Sequence, residues 1–405
     1  EQLLDEAAAE QNFTLADRYR KVSKTLRERD LLGFLANRNV LPKYGFPVDS
    51  VELRTNFGYG KDAGANLDLS RDLAQAIYEY APDATLVAGG QLWTSRGIYR
   101  IPGRDLVEYE YYVCKRCGGF RHGVGAVDPA CQHCGEVSTS TPRKLTIPEF
   151  GFVAGREPTK PGPRPPQRSW SGAIHVLSTP PEGTSRVQTL RGGTLDLNVG
   201  PRGRLVAVAD GPLSMGFWVC DWCGHGAARV NHPGKPPKHQ HLLKNQPCEG
   251  PRRLVDLGHQ YETDLLTIKP HLQGLHVSQA AWKSLMYALV EASCEVLEIA
   301  RDELGASLSP VGVDDWSICL FDTVSGGVGH VIRIEARLDE VLEAAFRRVS
   351  SCDCGAETSC YGCLRSYQNQ RDHDDLSRGA AQQLLTRLLG GTDAAAADVA
   401  TALEK

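Results

Sequence analysis

The sequence predicts an α/β protein, in which α and β elements mix in a multi-domain scaffold that carries three small zinc-binding inserts. Helical and strand-like apolar patterns alternate in the last third of the chain. Five short pairs hold ten of the thirteen cysteines, which is the spacing of metal ligands. The length of 405 residues, 41% of them hydrophobic, is enough for two or three domains.

The first segment, residues 1–40, is predicted to be a helical lead-in. It contains no proline, its only glycine is Gly33, and its apolar residues recur at helical spacing. It begins without methionine and without the charged and apolar regions of a signal peptide. No secretory signal or natural start is therefore visible, and we expect this sequence to be a fragment of a longer chain.

The second segment, residues 41–110, is predicted to be mixed α/β. Strand-forming residues dominate 48–54 and 86–93, and 70–80 has the pattern of a helix that Ser70 would cap. No stretch of the chain approaches the roughly 20 uninterrupted apolar residues that a bilayer requires. The sequence therefore predicts no membrane-spanning helix.

Two CxxC pairs define the third segment, residues 111–140. Thirteen residues separate Cys114 and Cys117 from Cys131 and Cys134, and each pair can direct two thiolates at one tetrahedral ion. A glycine after the second cysteine of each pair suits the tight turn of a zinc knuckle. The pattern predicts a structural zinc site, since four protein ligands leave no position for a catalytic water. The alternative is a group of four buried free thiols.

Residues 141–215 are predicted to be β-rich, with a proline-rich basic loop at 155–168 that cannot pack into a core. A second metal-like insert follows at 216–255. It opens with a third knuckle, formed by Cys220 and Cys223, which predicts another zinc site.

This second insert is expected to hold zinc through three cysteines and one histidine. Its third cysteine is Cys248, and six residues separate it from His241, so we prefer His241 as the fourth ligand. Two other histidines remain open as the fourth ligand, His239 and His232. A partly metallated site with solvated loop histidines is a further alternative.

The last segment, residues 256–405, is predicted to be an α/β domain because helix and strand alternate along it. The expected elements are strands at 254–268 and 316–322, helices at 278–304 and 330–349, and a final helix. Two isolated cysteines lie in apolar surroundings and are interpreted as core residues, Cys294 and Cys319.

A third cysteine cluster lies within this segment. Four thiols fall within twelve residues: Cys352, Cys354, Cys360 and Cys363. Few chemistries other than metal binding need that density in a cytoplasmic chain, and zinc is the preferred metal. An iron–sulfur cluster is the main competing interpretation.

Composition and missing motifs narrow the function. The net charge of -4 argues against polyanion binding over the whole surface but permits local basic strips. The chain has no P-loop, no zinc-protease or zinc-deaminase motif and no GxSxG elbow. We therefore predict no ATP-hydrolysing motor in this chain. Paired cysteines that suit metal rather than disulfides favour a cytoplasmic location.

Three groups of residues are candidate nucleic-acid contacts. The loop 321–330 follows a strand and precedes a helix, so its glycines and the positive helix end can cradle a phosphate. The other candidates are cations and rings that can grip a backbone or stack on a base. The candidate residues are Gly326, Gly327, Gly329, Lys115, Arg116, Arg365, Tyr367, Arg371 and His373. A tight packing turn and a solvated helix face are the respective alternatives for the glycine loop and the segment 364–373.

At these residues the sequence resembles a known family. The loop 320–329 and the run Cys-x-Cys-x5-Cys-x2-Cys-Leu-Arg-Ser-Tyr-Gln-Asn-Gln resemble the MrfA-type zinc-binding domain, near the C-terminus of superfamily II DEAD/DEAH-box helicases. The segment from Gly258 resembles the usual opening of that domain, so the resemblance covers about 256–390. Residues 30–49 and 69–82 resemble the region that joins the motor to it.

The resemblance implies that the four cysteines of the third cluster bind one zinc ion. It also implies that the intact protein is an ATP-dependent DNA helicase or translocase of DNA repair or phage defence. In that case ATP binds only to a motor domain absent from this chain, which lies in cis or on a partner subunit.

The preferred hypothesis is a C-terminal accessory region of such a helicase, with three zinc ions and single-stranded or forked DNA as partner. The first alternative is a protein-interaction subunit that activates a separate helicase in a phage-defence complex. The second is a zinc enzyme acting on nucleic acid, which requires an open coordination position at the Cys220 site.

Overall fold

The structure, a computed structural model, describes residues 9, 49–55, 64, 67–101, 103–162, 172–244, 246–272 and 277–391. The helical lead-in predicted for 1–40 therefore lies outside the described residues, apart from Ala9. The same holds for the part of the proline-rich loop from 163 onward and for most of the linker-like stretch 30–49.

The described residues form eighteen strands and five α-helices. The strands are β1 Ser50–Arg54, β2 Ser70–Asp72, β3 Thr85–Ala88, β4 Gln91–Ile98, β5 Glu108–Val113, β6 Phe120–Gly123, β7 Arg143–Thr146, β8 Phe152–Ala154, β9 Ala173–Ser178, β10 Thr184–Leu190, β11 Gly193–Ala209, β12 Phe217–Cys220, β13 Gly226–Ala228, β14 His239–Gln240, β15 Pro247–Cys248, β16 Arg252–His271, β17 Leu304–Gly312 and β18 Asp315–Asp322. The helices are α1 Leu73–Glu79, α2 Gln279–Leu297, α3 His330–Ala336, α4 Leu338–Ser350 and α5 Arg378–Leu388. The predicted mixed α/β class is confirmed.

The chain divides into two compact units. The first unit takes its described residues from 1–108, 144–170 and 209–259, and the second from 109–143, 171–208 and 260–405. The second tetrad of candidate metal ligands lies in the first unit, and the first and third tetrads lie in the second.

The first unit contains a five-stranded sheet in the order β2-β1-β8-β4-β3. Strands β1 and β8 are parallel, and the other neighbours are antiparallel. Leu53, Trp93 and Phe152 are fully buried and anchor its core. The helix predicted at 70–80 is shorter: 70–72 form β2, and Asp72, not Ser70, caps α1 by accepting a hydrogen bond from the Ala74 amide at 2.8 Å.

The second unit is built around helix α2 and the antiparallel strands β17 and β18. Ser278 caps α2 through a hydrogen bond from the Ala281 amide, and the buried face of the helix packs against α4, α5 and β17. The core that results includes Trp282, Leu289 and Leu320. None of the helices that the structure describes combines the length and the apolar character of a membrane span.

Two predicted helices in this unit are corrected by the structure. The helix predicted at 278–304 ends at Leu297, because Glu298 adopts a left-handed conformation, and 304–312 form β17 instead. The helix predicted at 330–349 is two helices, broken at Arg337 with φ -116° and ψ 25°. The Arg337 guanidinium donates to the Val296 carbonyl at 2.9 Å, so the break is held by a residue distant in sequence.

Candidate metal centres

The first tetrad joins Cys114, Cys117, Cys131 and Cys134, as the spacing predicts. The Cys114–Cys134 and Cys117–Cys131 sulfur pairs are each 3.5 Å apart. Four thiolates at about 2.3 Å from one tetrahedral zinc lie about 3.8 Å from one another, so these distances fit a single ion. They are too long for disulfides, and all four cysteines are free.

Three CxxC pairs share one turn geometry. In each, the amide of the first cysteine donates to the carbonyl five residues on, and the amide four residues on donates back to the cysteine carbonyl. That fourth residue is a glycine with positive φ in all three turns: Gly118 at 76°, Gly135 at 73° and Gly224 at 77°. The role predicted for the CxxCG glycine is confirmed.

The second tetrad joins Cys220, Cys223, His239 and Cys248. The His239 Nε2 lies 3.2 Å from the Cys223 sulfur, and the Cys220 and Cys248 sulfurs are 3.8 Å apart. The preference for His241 is therefore corrected to His239. The reason is strand register, because β14 and β15 pair antiparallel and place His239 directly opposite Cys248.

The neighbouring histidines have other contacts. His241 Nδ1 accepts a hydrogen bond from the Leu243 amide at 3.2 Å. His225 packs its ring on that of His239 at 4.5 Å between centroids. Burial, and then the charges of His239, Arg96 and Arg252, lower the pKa of His225 to about 4, so this imidazole is neutral at physiological pH. With four protein donors in place, this tetrad leaves no position for a catalytic water.

The third tetrad joins Cys352, Cys354, Cys360 and Cys363, whose neighbouring sulfurs are 3.5–3.8 Å apart. These separations suit a single central ion, since a multi-iron cluster would hold its thiolates farther apart. Cys363 and the following Leu364 are fully buried in the large core of the second unit. The third tetrad is therefore continuous with that core.

Three arginines hold the polar groups around the third tetrad. Arg348 donates to the Cys363 carbonyl at 3.0 Å, and Arg378 donates to the Cys354 and Val349 carbonyls at 2.9 and 2.8 Å. Arg365 donates to the Ser359 hydroxyl and the His373 carbonyl. These hydrogen bonds hold the main chain around the tetrad in position.

The glycine loop, interpreted from sequence as a phosphate cradle, is organised by carboxylates. The fully buried Asp322 accepts hydrogen bonds from the amides of residues 328, 330 and 331 at 2.7–3.1 Å. Asp264 accepts from the Gly329 amide at 3.0 Å. The amides at the start of α3 thus already have anionic partners, and the tight-turn alternative describes this loop.

The glycines themselves are required by this packing. At Gly327, φ is +74° and an added Cβ would lie 2.2 Å from the Asp264 carboxyl carbon. The Gly326 amide donates to the Glu262 carbonyl at 2.7 Å. Burial raises the pKa of Asp264, and the nearby Asp322 charge raises it further, against a lowering by the Gly329 amide. The loop amides are engaged by carboxylates of the protein itself, which favours a structural role for Gly326, Gly327 and Gly329 over the predicted nucleic-acid contact.

The segment 364–373 divides into internal and surface residues. His373 Nε2 lies 3.1 Å from the Ser366 carbonyl and 2.9 Å from Asn369 Oδ1. The Arg365 guanidinium also has an internal partner, because it donates to the Ser359 hydroxyl. Tyr367 and Arg371 are exposed. The short 3₁₀ helix 370–375 is anchored from α2, where Lys283 Nζ and the Tyr287 hydroxyl both donate to Asp372.

Two exposed aromatic residues at the tetrads were not predicted from the sequence. Trp222 and Tyr361 lie between the cysteines of their CxxC pairs and are 67% and 64% exposed. The corresponding residues of the first pair are the exposed cations Lys115 and Arg116. The sequence could have indicated the exposure of Trp222 and Tyr361, because the middle residues of a knuckle point away from the metal.

Part of the chain matches a known domain, and the chain as a whole is similar to one curated protein. Residues 285–364 match the MrfA Zn-binding domain. This stretch contains the third tetrad, and the resemblance seen in the sequence is confirmed there. The chain is also 25% identical over 428 residues to Druantia protein DruE of Escherichia coli (strain UMEA 4076-1), covering 90% of this chain. The chain spans 22% of the length of that curated relative.

Solved structures of the DUF1998 helicase MrfA resemble the chain distantly. The DNA-bound crystal structure matches with a TM-score of 0.36 and 11% identity, over 79% of this chain and 32% of MrfA. Another MrfA crystal structure matches with a TM-score of 0.32 and 11% identity, over 79% of this chain and 31% of MrfA.

Proposed function

We propose that this chain is the zinc-stabilised accessory region of an ATP-dependent DNA helicase or translocase, acting in DNA repair or phage defence. It binds three zinc ions, one at each tetrad, and contacts single-stranded or forked DNA. ATP hydrolysis belongs to a motor outside this chain. The observation that carries the proposal is a metal tetrad inside the stretch that matches the MrfA Zn-binding domain.

Zinc acts here through folding. Each tetrad offers four protein donors, so a bound ion closes its loop and neutralises thiolates that would otherwise repel one another. The folded loops then present cations and rings to solvent. Lys115 and Arg116 are exposed at the tip of the first tetrad, and Tyr367 and Arg371 are exposed beside the third. These four are the proposed strand contacts.

The test is fluorescence anisotropy of the zinc-loaded chain with single-stranded, duplex and forked DNA across a salt series. We expect affinity that falls steeply with salt and differs between DNA structures. Each phosphate that a protein cation neutralises on a single strand contributes about 0.7 to the salt slope. Replacing Lys115 and Arg116 together with glutamine is therefore expected to reduce the single-strand slope by about 1.4.

The same anisotropy measurement provides a matched control and an outcome that would contradict the proposal. Exchanging Lys115 for Arg and Arg116 for Lys keeps both charges, so that variant should retain the wild-type salt slope. Zinc content is measured for every variant. Binding to none of the three DNAs at moderate salt would overturn the proposal and favour a protein-interaction subunit that activates a separate helicase.

A further inference from the structure

Exposed aromatic rings are rare in this protein and concentrate at two metal turns. Among the tryptophan, tyrosine and phenylalanine residues that the structure describes, only Trp222, Tyr361 and Tyr367 are exposed. Tyr361 and Tyr367 belong to one short segment of the second unit, at and just after the last CxxC pair. Leaving two rings of one short segment in water forgoes the free energy of burying them, so this segment is a candidate binding surface.

The Tyr361 ring is held in place although it is exposed. Its ring meets that of His373 edge-on, with centroids 5.6 Å apart and an interplanar angle of 88°. His373 is in turn within hydrogen-bond distance of the Ser366 carbonyl and Asn369 Oδ1. The His373 ring therefore fixes the orientation of Tyr361 and reduces the entropy that binding would otherwise cost.

A charged cleft of about 370 Å³ lies at the third tetrad, next to the residue that follows Tyr361 in the chain. It is lined by Glu295, Ala344, Arg347, Arg348, Ser351, Cys352 and Gly362, and Gly362 directly follows Tyr361. Glu295 is ion-paired with Arg348 at 3.4 Å. Arg347 is exposed and has no side-chain partner among the described residues, so it is available to an anion at the mouth of the cleft.

We infer that Tyr361 is a stacking platform for an unpaired nucleic-acid base and that Arg347 contacts the adjoining backbone phosphate. A ring that stacks and a cation that pairs with phosphate are the two elements of strand binding without sequence readout. A paired base offers no open face, so the platform selects single-stranded segments. This inference rests on the proposed function and specifies the strand contact at the third tetrad.

The decisive experiment uses oligothymidylate with one 2-aminopurine, whose fluorescence falls when it stacks. Tyr361→Ala is expected to weaken single-strand affinity about 5- to 150-fold, the range for removal of one base–aromatic stack. The variant should also reverse the quenching of 2-aminopurine while leaving zinc content and duplex affinity unchanged. Tyr361→Phe and Tyr361→Trp, which keep a ring, should bind as the wild type does.

Tyr361→Leu separates stacking from apolar packing, because it keeps an apolar side chain without an aromatic face. We expect it to behave like Tyr361→Ala. Wild-type affinity in both variants would overturn the inference, and so would a Tyr361→Phe defect as large as that of Tyr361→Ala. If the alanine variant loses zinc, the leucine and phenylalanine variants decide the matter.

The phosphate contact has its own test. Arg347→Gln is expected to reduce the single-strand salt slope by about 0.7. The matched control is Arg333→Gln, which removes another exposed charge, from α3 in the same unit, and should leave the slope unchanged. Equal slopes in the two variants would overturn the role of Arg347. If the wild type does not bind DNA, this inference and the proposed function are both overturned. If the wild type binds DNA and Tyr361→Ala and Tyr361→Leu bind equally well, only this inference is overturned.

Discussion

The first and third tetrads have the same four-cysteine chemistry but different surroundings. The first tetrad has no large core of its own: its buried cluster consists of Cys114, Cys117 and Cys131, with Cys134 packed against them. The third is part of the main core of the second unit, in which Cys363 and Leu364 are fully buried beside α2, α4 and α5.

This difference shows that one metal chemistry can serve two structural purposes. At the first tetrad, an ion would replace a hydrophobic core for a short insert, so its loss is expected to unfold only that insert. At the third, an ion would fix loops on which the helix packing depends, so its loss is expected to spread into the core. The same substitution should therefore have different consequences at the two sites.

The largest effect is expected from losing one cysteine ligand. A structural zinc contributes about 10–16 kcal/mol to folding in isolated zinc-finger peptides, so Cys360→Ser is expected to prevent stable folding of the helical core. Cys117→Ser should expose only 111–140 to hydrogen exchange and leave α2 and α4 protected. Hydrogen-exchange mass spectrometry with zinc analysis measures both. Equal loss of helix protection in the two variants, or wild-type melting of Cys360→Ser, would contradict the contrast.

The second tetrad extends the comparison to a mixed ligand set. His239→Ala is expected to release about one equivalent of zinc, because a three-donor site holds the ion far more weakly. His241→Ala, two residues away, is the matched control and should keep the wild-type zinc content. The measurement is zinc per folded chain after dialysis. Zinc loss from His241→Ala alone would restore the sequence-based preference for that residue.

A smaller effect is expected from the arginines around the third tetrad. Arg378→Ala removes two hydrogen bonds from a charged donor to the Cys354 and Val349 carbonyls, and should lower the free energy of unfolding by about 2–4 kcal/mol. Arg378→Lys keeps the charge but not the two-pronged geometry, so it should fall between alanine and wild type. Urea unfolding followed by circular dichroism measures these changes. Identical stability of all three proteins would show that the third tetrad does not depend on this support.

The first tetrad has one support of the same kind. The indole of the buried Trp316 donates to the Cys117 carbonyl at 3.1 Å. Trp316→Phe removes that bond and should destabilise the knuckle by about 0.5–1.5 kcal/mol. Amide exchange of residues 114–119 should quicken while α2 stays protected. Unchanged exchange at the knuckle would mean that its turn hydrogen bonds suffice without the indole.

The smallest expected effect concerns pH and the carboxylate-capped loop of the same core. Because burial raises the pKa of Asp264 above its ordinary 3.8, its contribution to stability is full below pH 3.8 and is lost as pH rises through the higher folded-state value. Asp264→Asn removes this titration and the repulsion from Asp322. The stability of wild type relative to the variant, measured by urea unfolding, should therefore fall as the pH rises above 3.8. A rise in relative stability with pH would contradict the role assigned to this pair.

Local spacing made the cysteines predictable. The ligands of a knuckle lie three residues apart, so the turn that brings them together is set by the residues between and just after them, including Gly118, Gly135 and Gly224. The same reasoning identified the strand 316–322 and the start of the helix after Ser278. These features depend on neighbours along the chain.

The fourth ligand of the second tetrad was not predictable in this way. Chain distance favoured His241, but antiparallel pairing of β14 and β15 places His239 opposite Cys248. The end of α2 could not be predicted from the sequence either, because no proline or glycine lies at Glu298. Both outcomes depend on strand register and on backbone conformation that the packed structure selects.

The sequence by itself determined the mixed α/β class and the three cysteine groups, because apolar periodicity and ligand spacing are short-range properties. Only the tertiary structure decided that the glycine loop is capped by Asp264 and Asp322, that Arg348 and Arg378 support the third tetrad, and that Tyr361 rests on His373. Each of these interactions joins groups whose meeting depends on how separate elements pack. Side-chain donors and acceptors choose partners by proximity in space, which the packing of helices and strands sets and no local pattern encodes.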